Sequence, residues 1–185
     1  MYQLCWQASA YPSGRIVRIE GQIVAEPKTE DAGSSSVEYV QRVTTFLGEV
    51  SAWCREHGLT VEHDAVTLSE QLMAQYDAPS LYIAKDGVSV AKILPVGSKI
   101  IGAHGRVDLI GRVARHAFLF YVGKGPAFST QTIVGGKTTI SSSRPMLSNV
   151  DADGWYWIEA TVRRAKRVDE SLFLDLLTDV SDYEF

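Results

Sequence analysis

Two hydrophobic periods divide the chain. Between Val37 and Cys54, apolar residues return every third or fourth position, at Val37, Val40, Val43, Phe46, Leu47, Val50, Trp53 and Cys54, which sets them on one stripe of a helix. Ser35, with Glu38 three residues later, reads as a capping box, and Gly58 reads as a C-terminal stop. A long amphipathic helix is therefore expected over about 36–57. A shorter one is expected from Ser69, as N-cap, to about Tyr76, with Leu72 and Met73 facing inward and Asp77-Ala78-Pro79 ending it.

Beyond Pro79 the period falls to two. Leu81–Lys85 and Val88–Leu94 flank Asp86-Gly87, a dipeptide suited to a type I′ hairpin turn because both central residues need positive φ. Short strands are expected at Lys99–Ile101, Arg106–Ile110, Ala114–Val122, Thr130–Val134, Lys137–Ser142 and Trp155–Val162, punctuated by glycines. No helical stretch separates them, so the pattern describes an antiparallel meander and not βαβ units. Asp169 opens a short C-terminal helix, about 169–180, with Leu172, Phe173, Leu176 and Leu177 on one side and Glu170, Asp175 and Asp179 exposed. Ahead of the long helix, the turn signal Tyr11–Gly14 and the alternating run Arg15–Val24 predict a hairpin of residues 2–8 and 15–25. Glu26–Ser36 reads as an irregular linker.

The fold class expected is α+β: a mostly antiparallel β-meander sheet packed against the long helix and the short C-terminal one. The chain has 185 residues, 45% of them hydrophobic and 22% charged, which suits a single domain over 1–185. Within it, residues 1–78 hold the N-terminal hairpin and helices, and 79–185 the sheet and last helix. No apolar run approaches the roughly 20 residues of a membrane-spanning helix, so no membrane role is expected. Two cysteines, Cys5 and Cys54, are too few for a disulfide scaffold, and Met1–Gln7 lacks the basic start and apolar stretch of a signal peptide. A cytoplasmic setting is expected.

Net charge is −4, but its distribution is uneven. Residues 1–98 carry 7 Lys/Arg against 12 Asp/Glu, residues 99–167 carry 11 against 4, and residues 168–185 carry none against 6. A basic middle and acidic end can compensate each other on folding, or the middle can form a basic sheet surface that meets an acidic partner.

Familiar chemical motifs are incomplete. Gly135-Gly136-Lys137-Thr138 resembles the end of a phosphate-binding loop, yet Gln131 stands where its first glycine belongs and a strand follows. Gly123-Lys124-Gly125 has Phe128 in place of the third glycine of a dinucleotide fingerprint. Ser89-Val90-Ala91-Lys92 matches S-x-x-K but lies in an expected strand. His57, His63, His104 and His116 make no paired metal-ligand spacing, and the stretch around His57, Glu62, His63 and Asp64 reads as an exposed polar loop. Asp108 lacks the second acid and the lysine on the next strand that a metal-dependent nuclease would need. No cofactor is expected.

Three groups of residues remain. In Trp155–Val162, alternation puts Trp155, Trp157, Glu159 and Thr161 on one side and Tyr156, Ile158, Ala160 and Val162 on the other. The second side reads as core and the first as either a tryptophan-bearing contact face or a second covered one. Arg163, Arg164, Lys166 and Arg167 form the densest basic run, beside those aromatics, and could contact a partner or nucleic acid. If extended, His104, Arg106 and Asp108 project together, a row able to bind a small anion or do acid–base work, with Asp108 orienting His104. The ordinary alternative is a solvated face on which Arg106 pairs with Asp108. The leading expectation is a non-enzymatic domain that binds a protein, such as an immunity or antitoxin-like factor or an accessory subunit. A small-anion site or enzyme, and a nucleic-acid-associated module, are the alternatives.

Overall fold

In the computed structural model, residues 29–134 and 137–183 are described. Helix α1 (Thr29–Glu56) leads into strands β1 (Thr60–Leu68), β2 (Tyr76–Lys85), β3 (Val88–Gly97), β4 (Arg106–Gly111) and β5 (Arg115–Tyr121). A hairpin of β6 (Ala127–Val134) and β7 (Lys137–Pro145) follows, then β8 (Gly154–Glu159), β9 (Arg164–Arg167) and helix α2 (Glu170–Ser181). The fold is α+β. Seven strands make an antiparallel sheet in the order β1-β2-β3-β4-β5-β8-β9, and β6–β7 form a separate two-stranded sheet inserted between β5 and β8.

The long helix begins earlier than its capping signal suggests. It starts at Thr29, so residues 29–36 are helical and not linker, and Ser35 lies inside it. The low propensity of Gly33–Ser36 is a weak prior that context overrides. Its buried stripe is Tyr39, Val43, Phe46, Leu47, Val50 and Cys54, whereas Val37 is 68% exposed. The helix stops at Gly58 (φ +72), where Leu59 N–H donates to the Cys54 carbonyl (2.8 Å) and Gly58 N–H to that of Arg55 (3.1 Å). That pair of bonds is a Schellman closure. The expected hairpin of residues 2–8 and 15–25 lies outside the described residues.

Four further segments differ from expectation. Residues 69–75 form a turn, not a helix: Leu72 sits at φ 64 and points to solvent, and Asp77-Ala78-Pro79 belongs to β2. The polar stretch Glu62–Asp64 is the middle of edge strand β1. Lys99–Ile101 is a loop, with one bridge from Ile100 to Ala103. The basic run supplies a strand, β9. Elsewhere the local signals hold. Asp86 (φ 51) and Gly87 (φ 77) make the positive-φ turn between β2 and β3, and the Asp169 side chain caps α2 by accepting from Leu172 N–H (2.9 Å).

Both helices pack on one face of the sheet. Phe46 of α1 meets Phe118 edge-on (5.8 Å between centroids) and Trp155 at a tilt (5.3 Å), and Trp53 meets Phe173 of α2 (5.8 Å). Register places Ile93, Leu109, Val107, Phe118 and Trp157 on this same face. On the other face, Tyr121, Val150, Tyr156 and Ala165 form a small second cluster under the 146–153 connection. No helix among the described residues is long and apolar enough to cross a membrane.

Candidate functional site

The β8 tryptophans belong to the helix-covered face. Trp155 is buried between Phe46 and Phe120 and is part of the main core. Trp157 is half-buried, and its indole N–H donates to His116 Nδ1 (3.3 Å), whose Nε2 meets Asp179 of α2 at 2.6 Å. An indole nitrogen only donates, so Nδ1 accepts and Nε2 bears the proton in the neutral ring. Both faces of β8 are thus covered, with Tyr156 buried on the other side and its hydroxyl near Asp151 Oδ1 (3.0 Å) and the Ala152 carbonyl (2.9 Å).

The basic run is divided by the pleat. Arg163 occupies the β8–β9 turn at φ 51. Arg164 and Lys166 pair with Glu159 and Trp157 and share their face, while Arg167 pairs with Tyr156 and lies over Gly154 on the opposite one. Lys166 Nζ is 3.5 Å from Glu159 Oε2 and 5.5 Å from the Trp157 ring centroid. The four cations do not make one stripe.

Of the row His104, Arg106 and Asp108, the strand brings together the last two. Asp108 is fully buried, accepting from Arg106 Nε (2.8 Å) and Nη2 (3.3 Å) and from Arg115 Nη2 on the neighbouring strand. This is no solvated pair: one carboxylate takes charge-assisted bonds from two guanidiniums, of which Arg106 is 34% and Arg115 53% exposed. His104 lies before the strand, because Gly105 (φ +151) turns the backbone where a Cβ would stand 2.7 Å from the Tyr39 ring. His104 lines a separate open cavity of about 310 Å³ with Gly102, Tyr121, Val122 and Pro126. Asp108 is therefore engaged by arginines and does not orient His104.

Around Asp108 no described helix covers the second sheet face. Register sets Lys92 opposite Ile110 and Ile110 opposite Arg115, then Leu94 opposite Asp108 and Asp108 opposite Ala117. Lys92, Leu94, Ile110 and Ala117 are half-buried with no described helix over them, whereas Leu119 and Ile158 pack against the second cluster. On this face half-buried apolar side chains surround two guanidiniums that share one carboxylate.

Sequence reasoning missed a second polar centre, at the end of the sheet where the β1–β2 and β3–β4 loops meet. There β3 bulges between Pro95 and Gly97. The buried Tyr39 hydroxyl accepts from Val96 N–H (3.1 Å) and Gly97 N–H (3.2 Å) and donates to the Arg106 carbonyl (2.6 Å). Beside it, the Glu70 carboxylate accepts from Ser98 N–H (2.9 Å), Ser98 Oγ (3.0 Å), Lys99 N–H (2.8 Å) and the Tyr76 hydroxyl. Burial pulls the Glu70 carboxyl upward, but these donors, led by Ser98 N–H, outweigh it and hold the group below its ordinary 4.5. Burial pushes the Tyr39 hydroxyl well above its ordinary range, as burial and the adjacent Glu70 do for Tyr76. No local motif announces this centre, since Glu70 and Ser98 stand 28 residues apart.

Among the described residues, no group of three or more His, Cys, Asp or Glu could hold a metal ion. His57 pairs with Glu170 (3.0 Å) and His63 with Ser51 (3.2 Å). Ser89 lies in β3, and Val134 pairs directly with Lys137 across residues 135–136, which are outside the described set. Comparison with protein-family models, with curated proteins and with solved structures finds no match to this chain.

Proposed function

We propose that this chain is a non-enzymatic protein-binding domain, of the immunity-factor or accessory-subunit kind, which meets an acidic surface of its partner through the open sheet face. The observation that carries this reading is the one-sided placement of the helices. Among the described residues both helices cover the same face, and the other, away from the 146–153 connection, presents half-buried Lys92, Leu94, Ile110 and Ala117 around two arginines that share one carboxylate. Shallow apolar strips with central arginine resemble the anatomy of protein interfaces more than that of an enclosed ligand pocket. With Lys92 nearby, the centre of this face has more cations than carboxylates, which favours an acidic counterpart and steers its approach. A reducing, cytoplasmic setting accords with the free, buried Cys54.

The test is site-directed photocrosslinking in the cells of origin, with the photoreactive residue at Ile110 or at Tyr82, which is exposed and pairs with Lys92 on this face, and repeated in an Arg115→Glu background. A single protein adduct, acidic at its contact peptide and lost with Arg115→Glu while the fold persists, is the expected result. Adducts at neither position, or one unaffected by the charge reversal, overturn the reading. Recovery of nucleic acid that depends on Arg163 and Arg164 would replace it.

A further inference from the structure

The Gly97–Lys99 turn is built as an anion receptor, and its occupant belongs to the chain itself. Two backbone N–H groups, the Ser98 hydroxyl and the Tyr76 hydroxyl converge on one carboxylate. The glycine is required: at φ +156, a Cβ on Gly97 would stand 3.0 Å from the Glu70 carboxyl carbon. Successive amides aimed at one point are a recurring way of capturing carboxylates, including chain termini. We propose that this turn is a binding site for an aliphatic carboxylate, which Glu70 fills in the free protein and vacates when the 69–75 loop swings aside.

The receptor and its plug are anchored differently. The donors are held without Glu70: Gly97 N–H is bonded to Tyr39, and Tyr76 packs edge-on against the Tyr39 ring (6.4 Å) at the start of β2. The plug rides on a loop whose other ties are few: a Met73 N–H to Glu70 carbonyl bond (3.2 Å), a Lys99 Nζ to Gln71 carbonyl contact (3.4 Å) and a weak Ser98 Oγ to Met73 Sδ bond (3.9 Å). Leu72, in that loop, is held at positive φ and is 75% exposed, a strained backbone that opening would relieve. Beside the carboxylate lies a cavity of about 390 Å³ whose walls outside the moving loop are Val96, Gly97 and Ile100 together with Lys99. An aliphatic tail fits those walls, and Lys99 adds a cation near the head. The site is independent of the sheet-face reading.

The probes are hexanoate, standing for a small free acid, and N-acetyl-leucine, standing for a protein C-terminus, with hexanol and N-acetyl-leucinamide as neutral counterparts. Each is titrated into full-length wild type and Glu70→Ala by amide NMR. Either acid should move the Ser98 and Lys99 amides most, and the neutral compounds should not. Glu70→Ala should bind about ten-fold or more tightly than wild type, because the internal competitor is gone. Which acid binds better identifies the source of the ligand. Failure of both acids in both proteins overturns the proposal, as does binding by Glu70→Ala alone, which would make Glu70 a permanent staple. If Glu70→Ala does not fold, the wild-type titration decides.

Discussion

Replacing Tyr39 by Phe removes one oxygen and leaves the ring pressed against Gly105 and Tyr76. That oxygen closes the β3 bulge by accepting two N–H groups and donating to a carbonyl across the strand gap. Each bond contributes about 1 kcal/mol net, and buried donors left unmade cost at least that much. The loss should be about 2–3 kcal/mol, the lower figure applying if water enters the bulge from the nearby loop end. At roughly 2–4 °C per kcal/mol for a chain of this size, the thermal midpoint falls by about 5–10 °C. Urea unfolding gives the magnitude, and amide exchange at Val96 and Gly97 locates it. The alkaline limb should change as well. Burial raises the folded hydroxyl above its ordinary 10.0, so its stabilisation is complete below that value and is lost as pH rises beyond it. Tyr39→Phe should therefore flatten the alkaline fall. A loss under about 0.5 kcal/mol, no larger than that of a surface substitution such as Tyr82→Phe, with Val96 and Gly97 still protected, would refute the argument.

Four other outcomes follow from the same geometry. Arg106→Ala and Arg115→Ala should each cost about 1–2 kcal/mol, and the double variant about 4–5 kcal/mol, because only the double leaves the buried Asp108 uncompensated; additive losses in urea titrations would exclude a shared carboxylate. Glu70→Gln should blunt the acid side of the stability profile: a folded carboxyl held below 4.5 stabilises above that value and loses the contribution as pH falls through its lowered one, so parent and variant should converge in acid. Cys54, buried and pushed up to about 12, should resist iodoacetamide at about pH 8 in the native protein and react once unfolded, as read by peptide mass spectrometry. Gly111→Ala places a Cβ 2.2 Å from the Val180 carbonyl oxygen, which also accepts from Val113 N–H; displacing the end of α2 should cost towards the upper end of about 1–3 kcal/mol, and an unchanged melting temperature would show that the helix is not seated there.

The parts of the fold that were legible are those governed by neighbours in sequence. A 3.6-residue stripe and the Gly58 stop announced α1, Asp169 announced α2, and Asp86-Gly87 announced the β2–β3 turn. The misread parts answer to distant residues. Ser69, Leu72 and Met73 have helical spacing, yet Glu70 is drawn to amides of a turn 28 residues on, and that tertiary bond outweighs a one-turn propensity. Strand β1 carries Glu62-His63-Asp64 in its middle and, among the described residues, has a strand on one side only, so its positions do not alternate cleanly. Likewise the basic run Arg164, Lys166 and Arg167 announces no element of its own, and its strand follows from pairing with β8.

Strand periodicity reports sidedness, not cover, and this governs how much of the site could be read. Alternation correctly separates Trp155 and Trp157 from Tyr156 and Ile158, but both sets are apolar, so nothing local says which side α1 will choose. It also pairs Arg106 with Asp108 two residues apart, while the guanidinium that completes their cluster, Arg115, enters only through the β4–β5 register. His104 drops out for a backbone reason, the turn at Gly105 that lets the Tyr39 ring approach. The result is a sheet whose covered face takes the tryptophans and whose open face keeps the arginines. The buried Asp108 carboxylate is engaged by Arg106 from its own strand and Arg115 from the next, both of which keep part of their side chains in solvent. A partner docking there would have its contact centre already ordered, since the shared carboxylate holds both guanidiniums in place before it arrives.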